Sequence, residues 1–309
     1  MPDSDAQILA ALRKAPGFEN VTKADSITRL GGLTNLVYRV DVEKRSVVVR
    51  IPGEGTEAYI DRAVELHNAR AAAKAGVSPE VIFGDAATGL MISDTVPNIE
   101  TMTPDLFQSR QGSPARAGRA LARLHNSVET FEYRFELFAM IDEYLGLLAT
   151  KDVNLPEGYA DVVAAAAPLK ELLEQSDLPL APCHCDPLCE NFLDDGTVMW
   201  IVDWEYSGMN DPLWDLGDLS VEAGMTDAQD VEMMTAYFGR LPTSAETGRM
   251  VIYKAMCDLL WTLWGLIQVA NDNPAEDFGA YAVGRFDRCN TLMTNPSFKG
   301  HVDAVKVGA

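Results

Sequence analysis

Three polar residues near the middle of the chain have the spacing that phosphoryl transfer requires. Asn191 follows Asp186 by five residues, and Asp203 follows the apolar strand predicted at 198–202. A kinase aligns the acceptor hydroxyl with one carboxylate, while an amide oxygen and a second carboxylate bind the magnesium ions on the triphosphate. With His184, the first two residues form H-x-D-x4-N, the pattern of a kinase catalytic loop, and Asp203 has the position of the aspartate in D-F-G. The sequence therefore predicts catalytic roles for Asp186, Asn191 and Asp203, the last two as magnesium ligands.

This short pattern permits two other interpretations. It can arise by chance, although the strand and the second aspartate downstream favour catalysis. The other alternative is zinc binding, because potential ligands lie within one short segment at Cys183, His184, Cys185 and Cys189. Their spacing lacks the paired C-x2-4-C knuckles of structural zinc sites, and Cys257 and Cys289 are distant in sequence. We expect the cysteines to pack as small apolar side chains.

Length and composition indicate a globular protein with a sizeable core. The chain has 309 residues, of which 47% are hydrophobic, and it can form one large unit or two lobes. Residues 1–15 are amphipathic and do not resemble a signal peptide. The longest strongly apolar run, at 259–270, is too short to span a bilayer. Five cysteines without a paired framework fit a reducing compartment, so we expect a cytoplasmic protein that does not insert into membranes.

The negative charge lies mainly in the second part of the chain. Of the net charge of −21, residues 1–97 carry −2 and residues 98–309 carry −19. This charge argues against nucleic-acid binding. A field of this sign concentrates a cationic small molecule and repels a free anion, so an ATP site needs local basic groups and magnesium. The alternative, that the acidic surface serves solubility, stays open.

The order of predicted elements indicates two lobes. A first helix precedes an antiparallel meander predicted at 26–30, 36–42 and 46–51. A helix at 57–75 and short strands at 80–83 and 90–93 follow. Beyond Pro97 the pattern is mostly helical, with helices predicted at 113–126, 131–149, 159–175, 228–238, 245–270 and 276–293. We therefore predict an α+β, protein-kinase-like fold, with a nucleotide-binding lobe over residues 1–97 and a catalytic and acceptor-binding lobe over residues 98–309.

Two features of the first lobe suit a nucleotide. Gly31-Gly32-Leu33-Thr34-Asn35 lies between the first two strands, where small residues let backbone N–H groups approach phosphate oxygens. A Gly-Gly pair is also an ordinary turn. Arg50 ends the third strand, in the position of the lysine in V-A-I-K, and Glu65 in the following helix can pair with it. Arginine departs from the protein-kinase pattern but still neutralises phosphate charge.

These motifs resemble the choline/ethanolamine kinase family, within the wider aminoglycoside-phosphotransferase-like group, and most closely its bacterial choline kinase branch. The resemblance runs from Gly31 to about Asn290. It rests on four segments, GGLTN at 31–35, VRIPGEGT at 49–56, IVDWEYSGMNDP at 201–212 and LWTLWGLIQ at 260–268. In this family arginine is usual at the end of the third strand, so Arg50 fits the resemblance.

The resemblance implies ATP and Mg2+ as cofactors and assigns roles to particular residues. Asp186 would orient the acceptor hydroxyl, although the family loop usually reads His-Asn-Asp-Leu and here Cys185 and Pro187 flank the aspartate. Nucleotide-binding positions would be Gly31, Gly32, Thr34, Asn35, Arg50, Glu65, Ser93 and Val96. Aromatic rings and a carboxylate would surround an ammonium group at Tyr206, Glu222, Trp261, Trp264 and Tyr281. Periodicity alone favours a core role for the two tryptophans.

We therefore expect an ATP-dependent choline kinase whose substrate is a small cationic alcohol. Ethanolamine or another amino alcohol is the nearest alternative acceptor, and an aminoglycoside or thiamine kinase fits the motifs less well. A nucleotide-binding pseudokinase is an alternative from another class. Retention of Asp186, Asn191 and Asp203 argues against it. The oligomeric state stays open, a homodimer being one alternative.

Overall fold

A five-stranded antiparallel sheet forms the first part of the protein. The computed structural model describes residues 5–31, 35–53, 60–174 and 178–308. The order in the sheet is β1-β2-β3-β5-β4. The strands are β1 (Ser26–Gly31), β2 (Asn35–Val42), β3 (Arg45–Pro52), β4 (Val81–Asp85) and β5 (Leu90–Asp94). The predicted meander and the two short strands after it are therefore confirmed.

The two faces of this sheet pack against different helices. Helix α1 (Asp5–Leu12) contributes to a small apolar core with Val47 and Val49 of β3. Because side chains alternate along a strand, Arg50 points away from this core. It faces helix α2 (Arg62–Lys74), which begins after the capping residue Asp61. The predicted helix at 57–75 is thus found as α2, and residues 57–59 lie outside the described chain.

The rest of the chain is mainly helical, as predicted. Helices α3 (Pro104–Ser109), α7 (Pro212–Glu222) and α11 (Pro296–Gly308) were not predicted. Each begins with a proline, a residue favoured in the first turn because its missing N–H has no helical partner there. The other helices match the prediction closely in position, and they are α4 (Ser113–His125), α6 (Tyr159–Glu174), α8 (Asp227–Phe238), α9 (Ser244–Ala270) and α10 (Phe278–Thr294).

The predicted helix at 131–149 is wrong at its start. Helix α5 spans Leu137–Leu148. Before it, the Met209 N–H donates to the Tyr133 carbonyl oxygen at 2.6 Å, and the Phe135 N–H donates to the Met209 oxygen at 3.1 Å. Gly208 permits this approach, because a Cβ there would lie 2.8 Å from the Tyr133 oxygen. Backbone pairing with a distant segment therefore outweighs the local helical pattern.

Two small antiparallel sheets hold the segment that carries the kinase pattern. One pairs β7 (Ala181–Cys183) with β10 (Gly208–Asn210). The other has the order β6-β8-β9, formed by Glu100–Thr101, Phe192–Asp194 and Met199–Ile201. Strand β9 is the strand predicted at 198–202. The segments before Asp186 and after Asn191 are therefore both held by paired strands.

Helix α9 runs through the larger apolar core. By length and composition this 27-residue helix could cross a membrane, but 83% of its most apolar window is buried within the protein. The apolar run at 259–270 is the second half of this core helix. The larger core also includes Ala69 and Ala72 of α2. The lobe boundary at residue 97 stays a prediction.

Candidate active site

The backbone around Asp186 is held by a buried carboxylate at the start of α7. Asp215 accepts hydrogen bonds from the backbone N–H groups of His184 at 2.7 Å and Cys185 at 2.9 Å. A ring nitrogen of His125 lies 2.9 Å from the same carboxylate. Cys185 has a φ of 67°, in the left-handed region that non-glycine residues rarely adopt. Asp215 thus stabilises a strained loop conformation directly before Asp186.

Asn191 and Asp203 are brought to Asp186 by backbone hydrogen bonds. The Asn191 side-chain amide donates to the Asp186 backbone oxygen at 3.1 Å. The Val202 N–H donates to the Asn191 oxygen at 3.0 Å, and Asp203 follows with a φ of 70°. A His184 ring nitrogen lies 2.9 Å from the Val202 oxygen. The structure therefore gathers the three residues predicted to be catalytic, while their roles stay a proposal.

The environment of Asp186 disfavours its charged form. Burial and the carboxylates of Glu222 and Asp203 raise the pKa of Asp186 to about 8, and the Arg285 guanidinium partly opposes them. Burial and Glu205 likewise raise the pKa of Asp203 to about 7, against the opposing charge of Arg50. Carboxyls with raised pKa values are frequent where proteins perform proton transfer or bind cations. The cleft is thus an acidic site suited to a positively charged ligand.

The raised pKa of Asp186 makes stability depend on pH. From the ordinary value of 3.8 up to about 8, the folded protein holds a proton that the unfolded chain has released. The free energy of unfolding contributed by Asp186 therefore falls as the pH rises through this window. We expect Asp186→Asn to raise Tm by about 5 °C at pH 8.5 and to change it little at pH 4, where the unfolded chain also keeps about half of the protons. Thermal melting at several pH values tests this, and an equal Tm difference at both pH values would contradict it.

A network of ion pairs joins β3, α2 and the segment after β9. Arg50 forms an ion pair with Glu65, as predicted, and its Nη1 lies 3.4 Å from Asp203 Oδ1. Arg62 Nη1 lies 2.9 Å from Glu65 Oε2 and 2.6 Å from Glu205 Oε1. Sequence reasoning missed Arg62 and Glu205, although Glu205 stands in the segment IVDWEYSGMNDP at 201–212. One carboxylate oxygen from each of Glu65, Asp203 and Glu205 lies within 4.8 Å of the other two.

The donor set at this place suits a hard divalent cation. Asp203 and Asn191 offer a carboxylate and an amide oxygen, the ligand types that magnesium prefers. The Asp203 side chain is 39% exposed, so a cation can reach its carboxylate even though the surrounding protein partly desolvates it. These residues fit the predicted magnesium ion.

The structure describes only some of the other positions predicted to bind the nucleotide. Gly32 and Thr34 lie outside the described residues. Gly31 ends β1 with a φ of 134°, which favours glycine, and Asn35 begins β2 with its side-chain amide donating to Glu205 Oε1 at 2.9 Å. Ser93 pairs with Val48 in the sheet and Val96 follows β5; both are half-buried. Their contacts with a nucleotide stay a prediction.

The aromatic residues predicted to bind the acceptor form one cluster. The ring centroids of Tyr206 and Trp261 are 5.6 Å apart, those of Trp261 and Trp264 are 6.2 Å apart, and those of Trp264 and Tyr281 are 5.9 Å apart. Phe278, which sequence reasoning missed, lies 5.5 Å from Trp264. Trp261 is buried and Trp264 is partly exposed. All the contacts are edge-to-face, the geometry that aromatic pairs prefer.

Carboxylates line the same place, and protein groups already bind them. Glu222 Oε1 lies 2.5 Å from Arg285 Nη2. Buried Asp218, one helical turn earlier, accepts from the Cys257 thiol at 2.8 Å and from the Trp261 indole at 3.4 Å. Glu222 and Asp186 both affect the pKa of Tyr281, which is raised chiefly by burial. The predicted acceptor residues therefore lie within electrostatic reach of Asp186.

The three cysteines near Asp186 are packed inside the protein. Cys183, Cys185 and Cys189 are all buried, and burial raises the pKa of each thiol. Over residues 5–31, 35–53, 60–174 and 178–308, Cys183 groups with His125 and Asp215, whereas Cys185 and Cys189 join no cluster of three ligand atoms within 4.8 Å. The cysteine-rich zinc arrangement considered from sequence is therefore not assembled in the described chain.

Asp186, Asn191 and Asp203 lie beside the ion pair between Arg50 of β3 and Glu65 of α2, and this arrangement defines the class of protein, a kinase-like phosphotransferase. Comparison with known families agrees with this class. Residues 26–247 match the model of the phosphotransferase enzyme family, APH.

Similarity to individual proteins identifies the branch of this family. A choline/ethanolamine kinase family protein from Mesorhizobium loti is 57% identical, with a TM-score of 0.90 over 98% of this chain and 99% of that one. Choline kinase LicA from Streptococcus pneumoniae is 27% identical, with a TM-score of 0.74 over 88% and 94% of the two chains. LicA in complex with AMP has a TM-score of 0.70 at 26% identity over 88% and 92%. Ethanolamine kinase 1 of Mus musculus is 27% identical over 83% of this chain and 80% of its own. The chain therefore belongs to the phosphotransferase enzyme family and, within it, to the choline/ethanolamine kinases, which transfer phosphate to an alcohol.

Proposed function

We propose that the protein is a cytoplasmic ATP:choline phosphotransferase that produces phosphocholine. The observation that carries the choice of acceptor is the aromatic cluster of Tyr206, Trp261, Trp264 and Tyr281 beside the carboxylates of Asp218 and Glu222. A quaternary ammonium has no N–H to donate, so ring faces and a negative field hold it. A primary ammonium instead needs hydrogen-bond acceptors. Both oxygens of Asp218 already accept, from Cys257 and Trp261, and Glu222 is ion-paired with Arg285, although its Oε1 accepts no hydrogen bond among the described residues.

The position of this cluster relative to Asp186 also fits choline. Only two carbon atoms separate the nitrogen of choline from its hydroxyl group. A hydroxyl at Asp186 therefore places the ammonium close by, near Glu222, which acts electrostatically on Asp186, and near Tyr281, whose pKa both carboxylates affect. Ethanolamine has the same length, and an ethanolamine kinase among the relatives makes it the second candidate.

Arg50 supports a nucleotide in the site. Its Nε and Nη2 are buried and have no hydrogen-bond partner among the described residues. Buried donors without acceptors are unfavourable by about 1–3 kcal/mol each, so a ligand oxygen here would be stabilising. The phosphates of ATP supply such oxygens, while Ser93 and Val96 would contact the adenine through backbone groups. The structure of LicA in complex with AMP supports the use of an adenine nucleotide by analogy.

The proposed reaction is direct in-line transfer. Asp186 aligns the choline hydroxyl and accepts its proton as the oxygen attacks the γ-phosphorus, and the bond from that phosphorus to the ADP oxygen breaks. A pKa of about 8 suits a group that accepts a proton near neutral pH. Asn191 and Asp203 would hold magnesium, which supplies positive charge to the phosphate oxygens when bound. Arg50, fixed by Glu65, steadies the phosphates throughout.

Replacing Trp264 tests the acceptor. A well-placed ring contributes roughly 0.5–2 kcal/mol to binding of a cation, so we expect Trp264→Ala to raise the choline KM by about tenfold. The ATP KM should change less than about twofold, and Trp264→Phe should recover part of the loss because it keeps a ring face. Steady-state ADP release with choline and ethanolamine as acceptors measures these constants.

Phe286→Ala is the matched control for core damage. Phe286 lies on α10 with Tyr281, but its ring packs against Tyr159, at 5.6 Å. The Phe286→Ala variant should therefore have a lower Tm than wild type and an unchanged choline KM. An unchanged choline KM in folded Trp264→Ala would contradict the proposed ring site. If the wild-type protein turns over ethanolamine much faster than choline, ethanolamine is the substrate instead.

A further inference from the structure

A buried arginine of α10 connects three helices behind the acceptor site. Arg285 is 5% exposed, and its Nη2 lies 2.5 Å from Glu222 Oε1 of α7. Its Nη1 lies 3.3 Å from Asp258 Oδ1 of α9. Its guanidinium carbon lies 4.6 Å from the ring centroid of Tyr281, one turn earlier on its own helix. One side chain therefore contacts two residues that the proposed function places around the ammonium group.

The chemistry of arginine suits these simultaneous contacts. The guanidinium is planar and always charged, so it can present N–H groups to two carboxylates while its face lies on an aromatic ring. Glu222, Asp218 and Asp258 would otherwise concentrate negative charge in a poorly solvated place. Removing one partner of a buried ion pair leaves the other charge uncompensated, which favours rearrangement of the remaining side chain.

We propose that Arg285 is a positioning residue of the acceptor site, holding the Glu222 carboxylate and the Tyr281 ring where they bind the cationic acceptor. The inference rests on the proposed function and deepens it. Arg285 does not itself bind the acceptor, since both are cations. Its contribution is the geometry of two groups that the acceptor contacts, so its loss should weaken acceptor binding more than phosphoryl transfer or nucleotide binding.

The neighbouring Arg288 provides a matched control. It lies on the same helix and, among the described residues, its hydrogen bonds go to Asp258 alone, at 2.7 and 2.5 Å. Its side chain is 48% exposed. Arg288→Gln therefore removes a guanidinium from the same acidic region without removing a contact to Glu222 or to the Tyr281 ring. A purely structural or purely electrostatic role of the region would make the two arginines similar.

The test compares Arg285→Gln, Arg285→Lys and Arg288→Gln by steady-state kinetics. We expect Arg285→Gln to raise the choline KM at least about tenfold, with the ATP KM and the kcat at each variant's own pH optimum changing less than about threefold. Arg285→Lys should recover part of the loss, because an ammonium can pair with Glu222 but cannot also lie flat on Tyr281. Arg288→Gln should leave the choline KM within about twofold of wild type. An unchanged or lowered choline KM in folded Arg285→Gln would overturn the inference, as would equal effects of the two arginines.

A double-mutant cycle keeps the inference testable if Arg285→Gln folds poorly. Combining Arg285→Lys with Glu222→Gln should raise the choline KM less than the product of the two single effects, because Arg285→Lys weakens the same ion pair that Glu222→Gln removes. Fully multiplicative effects would count against positioning through Glu222. Failure of the proposed function is a separate result, seen as wild-type turnover with another acceptor in place of choline. In that case the role of Arg285 would be tested by the KM of that acceptor in the Arg285 variants. If no acceptor is phosphorylated, the affinity of the Arg285 variants for choline, measured by calorimetry, tests it instead.

Discussion

Asp186→Asn should lower kcat by about 10³-fold while leaving the affinity for magnesium and ATP nearly unchanged. The substitution removes the carboxylate that accepts the hydroxyl proton but preserves the size of the side chain. It should also preserve the loop, because the hydrogen bonds that hold it do not involve the Asp186 side chain. Asp215 accepts from the backbone of His184 and Cys185, and the Asn191 amide donates to the backbone oxygen of Asp186.

Two measurements separate chemistry from binding in this variant. ADP release with saturating choline gives kcat, and calorimetry with a non-hydrolysable ATP analogue and magnesium gives nucleotide affinity. Asp215→Asn provides the contrast, since loss of a carboxylate that accepts two backbone N–H groups should lower Tm as well as activity. If the kcat of Asp186→Asn is within tenfold of the wild-type value, Asp186 does not accept the proton in the reaction.

Asp203→Ala should abolish turnover and weaken binding of the magnesium–nucleotide complex by about 30-fold or more, because a hard cation loses its main carboxylate ligand. The fold should survive the change. The Asp203 side chain is 39% exposed, and Arg50 keeps Glu65 as its ion-pair partner. Affinity for the nucleotide without magnesium should stay near that of wild type, since the lost interaction runs through the metal.

Magnesium titration at fixed nucleotide concentration measures this loss. The apparent magnesium affinity should fall in Asp203→Ala and stay close to wild type in Asp186→Asn, which serves as the matched carboxylate variant. Equal loss of magnesium–nucleotide binding in the two variants would contradict the proposed division of roles. If the wild-type protein binds the nucleotide equally well with and without magnesium, the proposed magnesium site is wrong.

Local patterns accounted for the parts of the fold and site that depend on neighbouring residues. The strands around Arg50 and the helix of Glu65 followed from side-chain periodicity, and the H-x-D-x4-N pattern identified Asp186 and Asn191 because one tight turn carries both. The strand before Asp203 was predictable for the same reason. Resemblance of longer motifs, and not periodicity, indicated Trp261, Trp264 and Tyr281 as a possible ring cluster, since an apolar helix has buried aromatics whatever its function.

Contacts between distant segments were beyond such patterns. The start of α5 was mispredicted because residues 133–135 pair with Met209. The hydrogen bonds of Asp215 to the loop before Asp186, and the pairing of Arg62 with Glu205, each join residues far apart in sequence. No local signal specifies which distant partner a charged side chain will meet.

The class of chemistry could be predicted from the residues alone, because a hydroxyl acceptor, a triphosphate and magnesium require particular side chains at short, fixed spacings that one loop and one strand can supply. Which charges are satisfied within the protein, and which are left for a ligand, depends on how distant segments pack together. Arg285 of α10 meets Glu222 of α7 and Asp258 of α9, and two donors of Arg50 are left without a partner in the described chain. The free energy of a buried charge depends on the groups packed around it in space, and those groups come from helices and strands that are distant in sequence.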